Sequence, residues 1–166
     1  MLRKLYPKLY LGSIFELDLE ALKKEGIKGL IFDIDNTLVP YDVEEPTKEI
    51  IELFNTLRNE TFKICLMSNN VEDRVMRFNQ NLKVFAIHKS GKPRIKSFKR
   101  ALELMDLSKE EVAIVGDQIF TDVYGGNRMG VKTILVQPVS DKDEWMTKIK
   151  RGLEQRVIKL YEKHGK

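Results

Sequence analysis

Five short apolar runs punctuate the chain, at 29–34, 62–67, 84–87, 112–115 and 133–136, and most are apolar at nearly every position. Strands buried on both faces read this way, because helices cover a parallel sheet above and below. Between the runs the apolar spacing changes to three and four, which predicts helices. Residues 19–25 follow Asp18, a good N-cap. The stretch 46–58 opens on Pro46 and places Ile50, Ile51, Phe54 and Leu57 on one face. Asn70 precedes a helical pattern over 71–80, and Pro93 opens another that repeats Ile95, Phe98, Leu102 and Met105. A further stretch runs from near Ile119 to Gly130, and 143–163 sets Trp145, Ile149, Leu153, Val157 and Tyr161 four apart. Strands alternating with helices predict an α/β fold built on a parallel sheet.

Length and composition sharpen this picture. With 166 residues, 42% hydrophobic and 33% charged, the chain reads as one domain spanning 1–166 with an ordinary core. No apolar run is long enough to cross a bilayer as a helix, and no secretory leader pattern opens the chain. Cys65 is the lone cysteine, so no internal disulfide forms; this fits a reducing, cytoplasmic setting, with the thiol inert inside its apolar run. The net charge of +4 is unevenly placed. Residues 1–10 carry Arg3, Lys4 and Lys8 with no acid, and 141–166 carry eight Lys and Arg against five Asp and Glu. Two basic ends flank a slightly acidic middle. Such ends suit an anionic partner such as a lipid surface or nucleic acid, or serve only as solvated charge. No aromatic-basic motif of an RNA-binding module is present, which argues against nucleic acid.

The polar residues of interest stand where the strands end. In an open parallel sheet, ligands bind beyond the carboxyl ends of the strands. The first run delivers Asp33 and Asp35, with Thr37 next; the second ends in Ser68, Asn69 and Asn70. Lys92 follows the third run, and the fourth ends in Asp117 with Asp122 close behind. Two carboxylates beside a low-dielectric core repel and raise each other's pKa, a conflict that a cation or phosphoryl chemistry relieves. An EF-hand reading of 33–44 fails, because Leu38 stands where the loop needs glycine and a strand enters it. A receiver-type phosphoacceptor fails too: it needs an aspartate after the third strand, where Ile87, His88 and Lys89 stand. Ser68 alone would read as a helix cap, and Lys89 competes with Lys92.

The segment LIFDIDNTLV at 30–39 resembles the first motif of the haloacid dehalogenase (HAD) superfamily of phosphohydrolases, and the hydroxyl, lysine and acid pair follow in that superfamily's order. The resemblance implies a three-layer sandwich with a five-stranded parallel sheet of order 5-4-1-2-3. By the same resemblance Asp33 is the nucleophile that forms an aspartyl-phosphate, and Asp35 the general acid and base. Ser68, Asn69 and Lys92 would bind the phosphoryl group, Lys92 being preferred over Lys89 because it precedes the proline that opens a helix. Asp33, Asp117 and the main-chain carbonyl of Asp35 would hold Mg²⁺, an ion that prefers oxygen ligands, with Thr37 and Asp122 in support. The spacings leave no room for a cap domain.

GDQIFTDVYGGNRMGVKTILVQPV at 116–139 and KLYPKLYLGSIFEL at 4–17 resemble the cap-less subclass IIIA and its phosphatidylglycerophosphate phosphatases. The resemblance implies hydrolysis of phosphatidylglycerophosphate to phosphatidylglycerol by an enzyme peripheral to the inner face of a membrane. Asn127 and Arg128 become candidate substrate contacts, although Arg128 could instead pair with a neighbouring acid. Lys148, Arg151, Arg156 and Lys159 surround the apolar stripe of the last helix, which would lie on an anionic bilayer, pack on the core or form a homodimer contact. The alternatives are a phosphatase for a soluble sugar, nucleotide or nucleic-acid phosphate, and a non-catalytic phosphate-binding scaffold.

Overall fold

The computed structural model describes residues 2–141 and 145–164, excepting the side chains of 145–148. Six strands, not five, form one parallel sheet: β1 (Leu9–Leu11), β2 (Gly29–Phe32), β3 (Lys63–Met67), β4 (Phe85–Ile87), β5 (Val112–Gly116) and β6 (Lys132–Val136), in the order β1-β6-β5-β2-β3-β4. The five expected strands keep their expected order. The addition is β1, which pairs with the outer edge of β6, Leu9 opposite Ile134 and Leu11 opposite Val136. Three half-buried residues between Lys8 and Gly12 carry too little pattern to announce a strand; the register with β6 makes it one.

The helices are α1 (Leu19–Lys24), α2 (Lys48–Asn59), α3 (Glu72–Asn79), α4 (Ile95–Met105), α5 (Tyr124–Met129) and α6 (Trp145–His164), with a π-helical turn over Ile119–Val123 leading into α5. Asp18 caps α1 by accepting the Ala21 N–H at 3.0 Å. Three starts differ from expectation, one of them α4, which begins at Ile95 with Arg94 in the cap position rather than opening on Pro93. Lys48, rather than Pro46, begins α2, capped by Thr47, whose hydroxyl accepts the Ile50 N–H at 3.3 Å. Val71, rather than Asn70, holds the cap position of α3, while the Asn70 carboxamide accepts only the adjacent Val71 N–H at 2.7 Å. Gly130 ends α5 in the left-handed region at φ 86°, which glycine enters without a Cβ clash.

Alternate strand residues go to opposite faces. Leu30, Phe32, Ile64, Leu66, Ala113, Val115, Ile134 and Val136 meet Leu22 of α1, Ile50, Phe54 and Leu57 of α2, and Val75 and Phe78 of α3. Ile31, Cys65, Met67, Val112 and Ile114 meet Phe98, Ala101 and Met105 of α4 on the other face. Phe32 and Phe54 stack across the first layer with ring centroids 5.3 Å apart, and each fully buried ring contributes about 1.5–3 kcal/mol of transfer free energy. Cys65 lies in the second layer, where burial pushes its thiol up to about 12. A third cluster joins Ile119, Val123, Leu135 and Val157 of α6 to Leu5, Tyr6 and Tyr10.

The apolar stripe of α6 divides. A repeat of four drifts around a helix of 3.6 residues per turn. Val157 is therefore buried and Tyr161 meets Tyr6 edge-on at 5.7 Å, whereas Ile149 and Leu153 are 63% and 50% exposed. The expected start at residue 143 and the Trp145 side chain lie outside the described part of the chain. No helix among the described residues is long and apolar enough to cross a membrane. Only α2 lies between β2 and β3, and only α3 between β3 and β4, which leaves the carboxyl edge of the sheet without a cap.

Candidate active site

The strand ends bring the site together from four loops. Asp33 extends the β2 ladder by one step, its N–H donating to the Val115 carbonyl at 3.0 Å, so its carboxylate emerges at the sheet's edge yet stays buried. Asn36 then turns the chain in the left-handed region at φ 59°, a conformation asparagine tolerates. That turn sends the N–H groups of Thr37 and Leu38 back to the Ile34 carbonyl, at 3.2 and 3.0 Å. The Thr37 hydroxyl consequently lies between two carboxylates, donating to Asp117 Oδ1 at 2.9 Å with Asp33 Oδ2 at 3.4 Å.

Lys92 is the hub. Its Nζ donates to Asp33 Oδ1 at 3.0 Å, Asp122 Oδ1 at 2.7 Å and the Met67 carbonyl at 2.8 Å, which uses all three ammonium protons. Burial alone would lower its pKa, but the Asp122 and Asp33 carboxylates outweigh burial and raise it, so the lysine stays charged. Asn69 fixes the lysine's loop: its Oδ1 accepts the Lys92 N–H at 2.8 Å and the Ser90 hydroxyl at 2.7 Å, and its Nδ2 donates to the Lys92 carbonyl at 3.2 Å. Ser68 is buried, and its Oγ accepts the Asn70 N–H at 3.0 Å, which leaves its proton for a ligand oxygen.

The second acid pair comes from β5 and the turn after it. Asp122 Oδ2 accepts the Gln118 N–H at 3.2 Å, and its carboxylate lies against Gly116, where a Cβ would collide with it. Burial raises the pKa of Asp33 against the opposing pull of Lys92. Burial also raises Asp117 well above the ordinary carboxylate range, Asp33 raises it further, and Arg151 opposes both. Carboxylate oxygens of Asp33, Asp117 and Asp122 lie within 4.8 Å of one another. An oxygen-only set of buried carboxylates fits a hard divalent cation of the Mg²⁺ class, and a bound cation would resolve their repulsion.

Two arginines complete the site, and neither was anticipated from the sequence. Arg74 of α3 donates through Nε and Nη2 to Asp35 Oδ1 at 3.3 and 3.1 Å, while Asn70 Nδ2 holds Oδ2 at 3.1 Å. Its one sequence signal is a place four residues before Phe78, whose ring lies 5.5 Å beneath the guanidinium. Arg151 of α6 grips Asp117. Within a strongly basic helix it carried no mark that set it apart from its neighbours.

A cavity of 320 Å³ opens over this arrangement, lined by Asp33, Asp35, Ser68, Asn69, Asn70 and Lys92 together with Asn36, Tyr41, Gln118 and Thr121. Lys92 is among its walls and Lys89 is not. Asn127 and Arg128 are not there either. Asn127 donates to the carbonyls of Lys4 and Tyr6 at 2.8 and 2.9 Å and accepts the Thr133 hydroxyl at 3.0 Å, which ties down the N-terminal segment. Arg128 lies over the Tyr124 ring and reaches the Pro93 carbonyl at 3.4 Å. At these two positions the structure shows contacts within the protein, to the N-terminal segment, Thr133, Pro93 and Tyr124.

Residues 89–157 match the family model described as HAD-hydrolase-like. The probable phosphatase YqeG of Bacillus subtilis (strain 168) is 40% identical over 166 residues, an alignment covering 99% of this chain and 96% of that protein. Phosphatidylglycerophosphate phosphatase 1, chloroplastic/mitochondrial, of Arabidopsis thaliana is 26% identical over 96% of this chain, which spans 49% of that relative's length. In fold, the cobalt-bound deoxy-D-mannose-octulosonate 8-phosphate phosphatase (YrbI) of Haemophilus influenzae superposes with a TM-score of 0.54 at 15% identity, over 82% of this chain and 90% of that one. A full-length relative that is a probable phosphatase, a matching HAD model and four strand-end loops meeting at one acidic cavity converge on one assignment: the chain belongs to the HAD-family phosphatases.

Proposed function

We propose that this protein is a Mg²⁺-dependent phosphomonoesterase that works through an aspartyl-phosphate on Asp33, with phosphatidylglycerophosphate as its substrate. The observation that carries the chemistry is the buried Asp33–Lys92–Asp122 cluster at the floor of an open polar cavity. An Asp33 carboxylate oxygen attacks phosphorus, the bond to the leaving oxygen breaks, and Asp35 supplies that oxygen with a proton. Asp35, now a base, takes a proton from the water that cleaves the acyl phosphate and releases inorganic phosphate. The Ser68 hydroxyl and the Lys92 ammonium stabilise charge on the phosphoryl oxygens. Asp33, Asp117 and the Asp35 carbonyl would hold Mg²⁺, which supplies the positive charge that lets a carboxylate approach a phosphate dianion.

The lipid substrate is supported by three observations. The Arabidopsis relative, and one from Chlamydomonas reinhardtii at 30% identity over 83% of this chain, are phosphatidylglycerophosphate phosphatases. The cap-less edge of the sheet leaves the cavity open to a bulky or surface-bound substrate. The outward face of α6 carries Ile149, Leu153 and Leu160 beside Arg156, Lys159 and Lys163, a basic amphipathic face suited to an anionic bilayer.

The test is Mg²⁺-dependent phosphate release from phosphatidylglycerophosphate in mixed micelles, with wild type and Asp33→Asn run beside a small aryl phosphate. Fast release that the substitution abolishes, well above the aryl phosphate rate, is the expected result. Release no faster than from the aryl phosphate would turn the assignment to a soluble phosphate ester. No release from either substrate by wild type would leave the fold as a phosphate-binding scaffold.

A further inference from the structure

The last helix enters the site with two charged side chains. Arg151 Nη1 donates to the main-chain oxygen of Asp117 at 2.7 Å, and Nη2 donates to the same residue's Oδ2. Glu154 Oε2 lies 3.2 Å from Nη1, and its Oε1 accepts the Ile119 N–H at 2.7 Å. The contact is shielded from water: the Asp117 side chain is fully buried and that of Arg151 is 15% exposed. A guanidinium is charged at every working pH, and its fork holds two acceptors at once. The Lys92 ammonium reaches Asp33 and Asp122 but makes no hydrogen bond to Asp117. The cation on Asp117 comes from α6.

We propose that Arg151 is a built-in counter-ion of the metal-binding acids: it stabilises the carboxylate cluster on its own and lowers the affinity of that cluster for a divalent cation. The inference rests on the metal reading above and concerns what this chain's own residue does to it. Asp33, Asp117 and Asp122 bring three carboxylates within 4.8 Å of one another. Neutralising them with lysine alone leaves an excess of negative charge in a buried place, where screening by salt is weak. Arg151 removes that excess by holding Asp117 Oδ2. Meanwhile Thr37 holds Oδ1, so the carboxylate is aimed whether or not a metal ion is bound. Any divalent cation joining Asp117 then shares the carboxylate with a fixed positive charge and is repelled by it. The consequence is a site that keeps its shape at low metal concentration and exchanges its metal readily. Glu154 fastens the arginine's helix to the same loop, so the counter-ion cannot drift away.

The test is a Mn²⁺ titration, followed by calorimetry, on full-length wild type, Arg151→Gln and Arg151→Lys, with thermal unfolding of each protein in chelator and in saturating Mn²⁺. Arg151→Gln should bind Mn²⁺ about three- to tenfold more tightly than wild type. It should also melt at a lower temperature in chelator, with the gap closing in saturating Mn²⁺. Arg151→Lys keeps the charge and should bind within about twofold of wild type. Unchanged or weaker binding by Arg151→Gln, with wild type binding normally, would overturn the inference and make Arg151 a strut for Asp117. Tightening by Arg151→Lys equal to that by Arg151→Gln would overturn it as well, since the fork rather than the charge would be at work. If wild type itself binds no Mn²⁺, the metal reading fails first and takes this inference with it.

Discussion

Replacing Lys92 by methionine removes the cation shared by Asp33 and Asp122 while keeping an unbranched chain of similar length. Two charge-assisted hydrogen bonds disappear, of 3.0 and 2.7 Å, together with one to the Met67 carbonyl at 2.8 Å. Removing one partner from a buried ion pair costs about 3–5 kcal/mol, since the remaining charge is left without compensation. Two carboxylates lose their partner here, but the cost does not double. Burial already raises the Asp33 pKa and Lys92 opposes it, so loss of the lysine lets the carboxyl take up a proton instead of staying charged. A net loss of about 3–5 kcal/mol corresponds to a fall in Tm of roughly 6–20 °C for a chain of this size.

The sign of the pH dependence follows. In the variant burial makes Asp33 titrate higher when folded than when unfolded, with Lys92 no longer opposing it, so the deficit is largest above that raised range and shrinks as the pH falls through it. Circular dichroism melts of wild type and Lys92→Met in chelator, near pH 7 and again near the ordinary carboxylate range of about 4, give both quantities. A deficit below about 1 kcal/mol, equal at both pH values, would refute the reasoning and show that the ammonium is not the partner of these carboxylates.

Three further outcomes are expected. Arg74→Ala frees Asp35, so turnover of alkyl phosphates, which need a proton on the leaving oxygen, should fall on the order of tenfold to a hundredfold while aryl phosphates lose much less; equal losses would deny Arg74 a part in placing the acid. Burial, opposed by Arg151 and by the Phe120 and Ile119 N–H groups, raises the Glu154 pKa above 4.5, so the stability of Glu154→Gln relative to wild type should climb as the pH rises from that value; urea midpoints across a pH series that keep a constant difference would contradict this. Gly116→Ala puts a methyl into the Asp122 carboxylate and should cost about 1–3 kcal/mol in urea unfolding along with most of the activity, whereas a stable, fully active variant would show that Asp122 has room to move.

The central strands and the acid positions were legible because their signals are local. Leu30, Ile31 and Phe32 are buried on both faces and say so in sequence, and an aspartate directly after such a run has nowhere to sit but the sheet's edge. The arginines were illegible for the opposite reason. Arg74 meets Asp35 across 39 residues and Arg151 meets Asp117 across 34, and each is surrounded by other charged residues that face water. Helical periodicity assigns a face, but not which of several basic residues on that face finds an acid. The stripe of α6 shows the same limit: a spacing of four described one line of residues, while the helix buries Val157 and exposes Ile149. The partners that the Asn127 carboxamide finds, the carbonyls of Lys4 and Tyr6, are ones that no local pattern connects to it.

The strand β1 gives the molecule a temporal asymmetry. Its neighbour is β6, and the Lys8 N–H reaches Thr133 across 125 residues. At a synthesis rate of about 5–20 residues per second, β1 leaves the ribosome roughly 6–25 s before the strand it must join. The sheet can therefore assemble outward from β2 and β5 while that segment waits, and closing so long a loop belongs to the late, slow part of folding. As a short edge it would fray before the centre of the finished sheet, with amide protons near Leu9 to Leu11 exchanging ahead of those in β2 and β5.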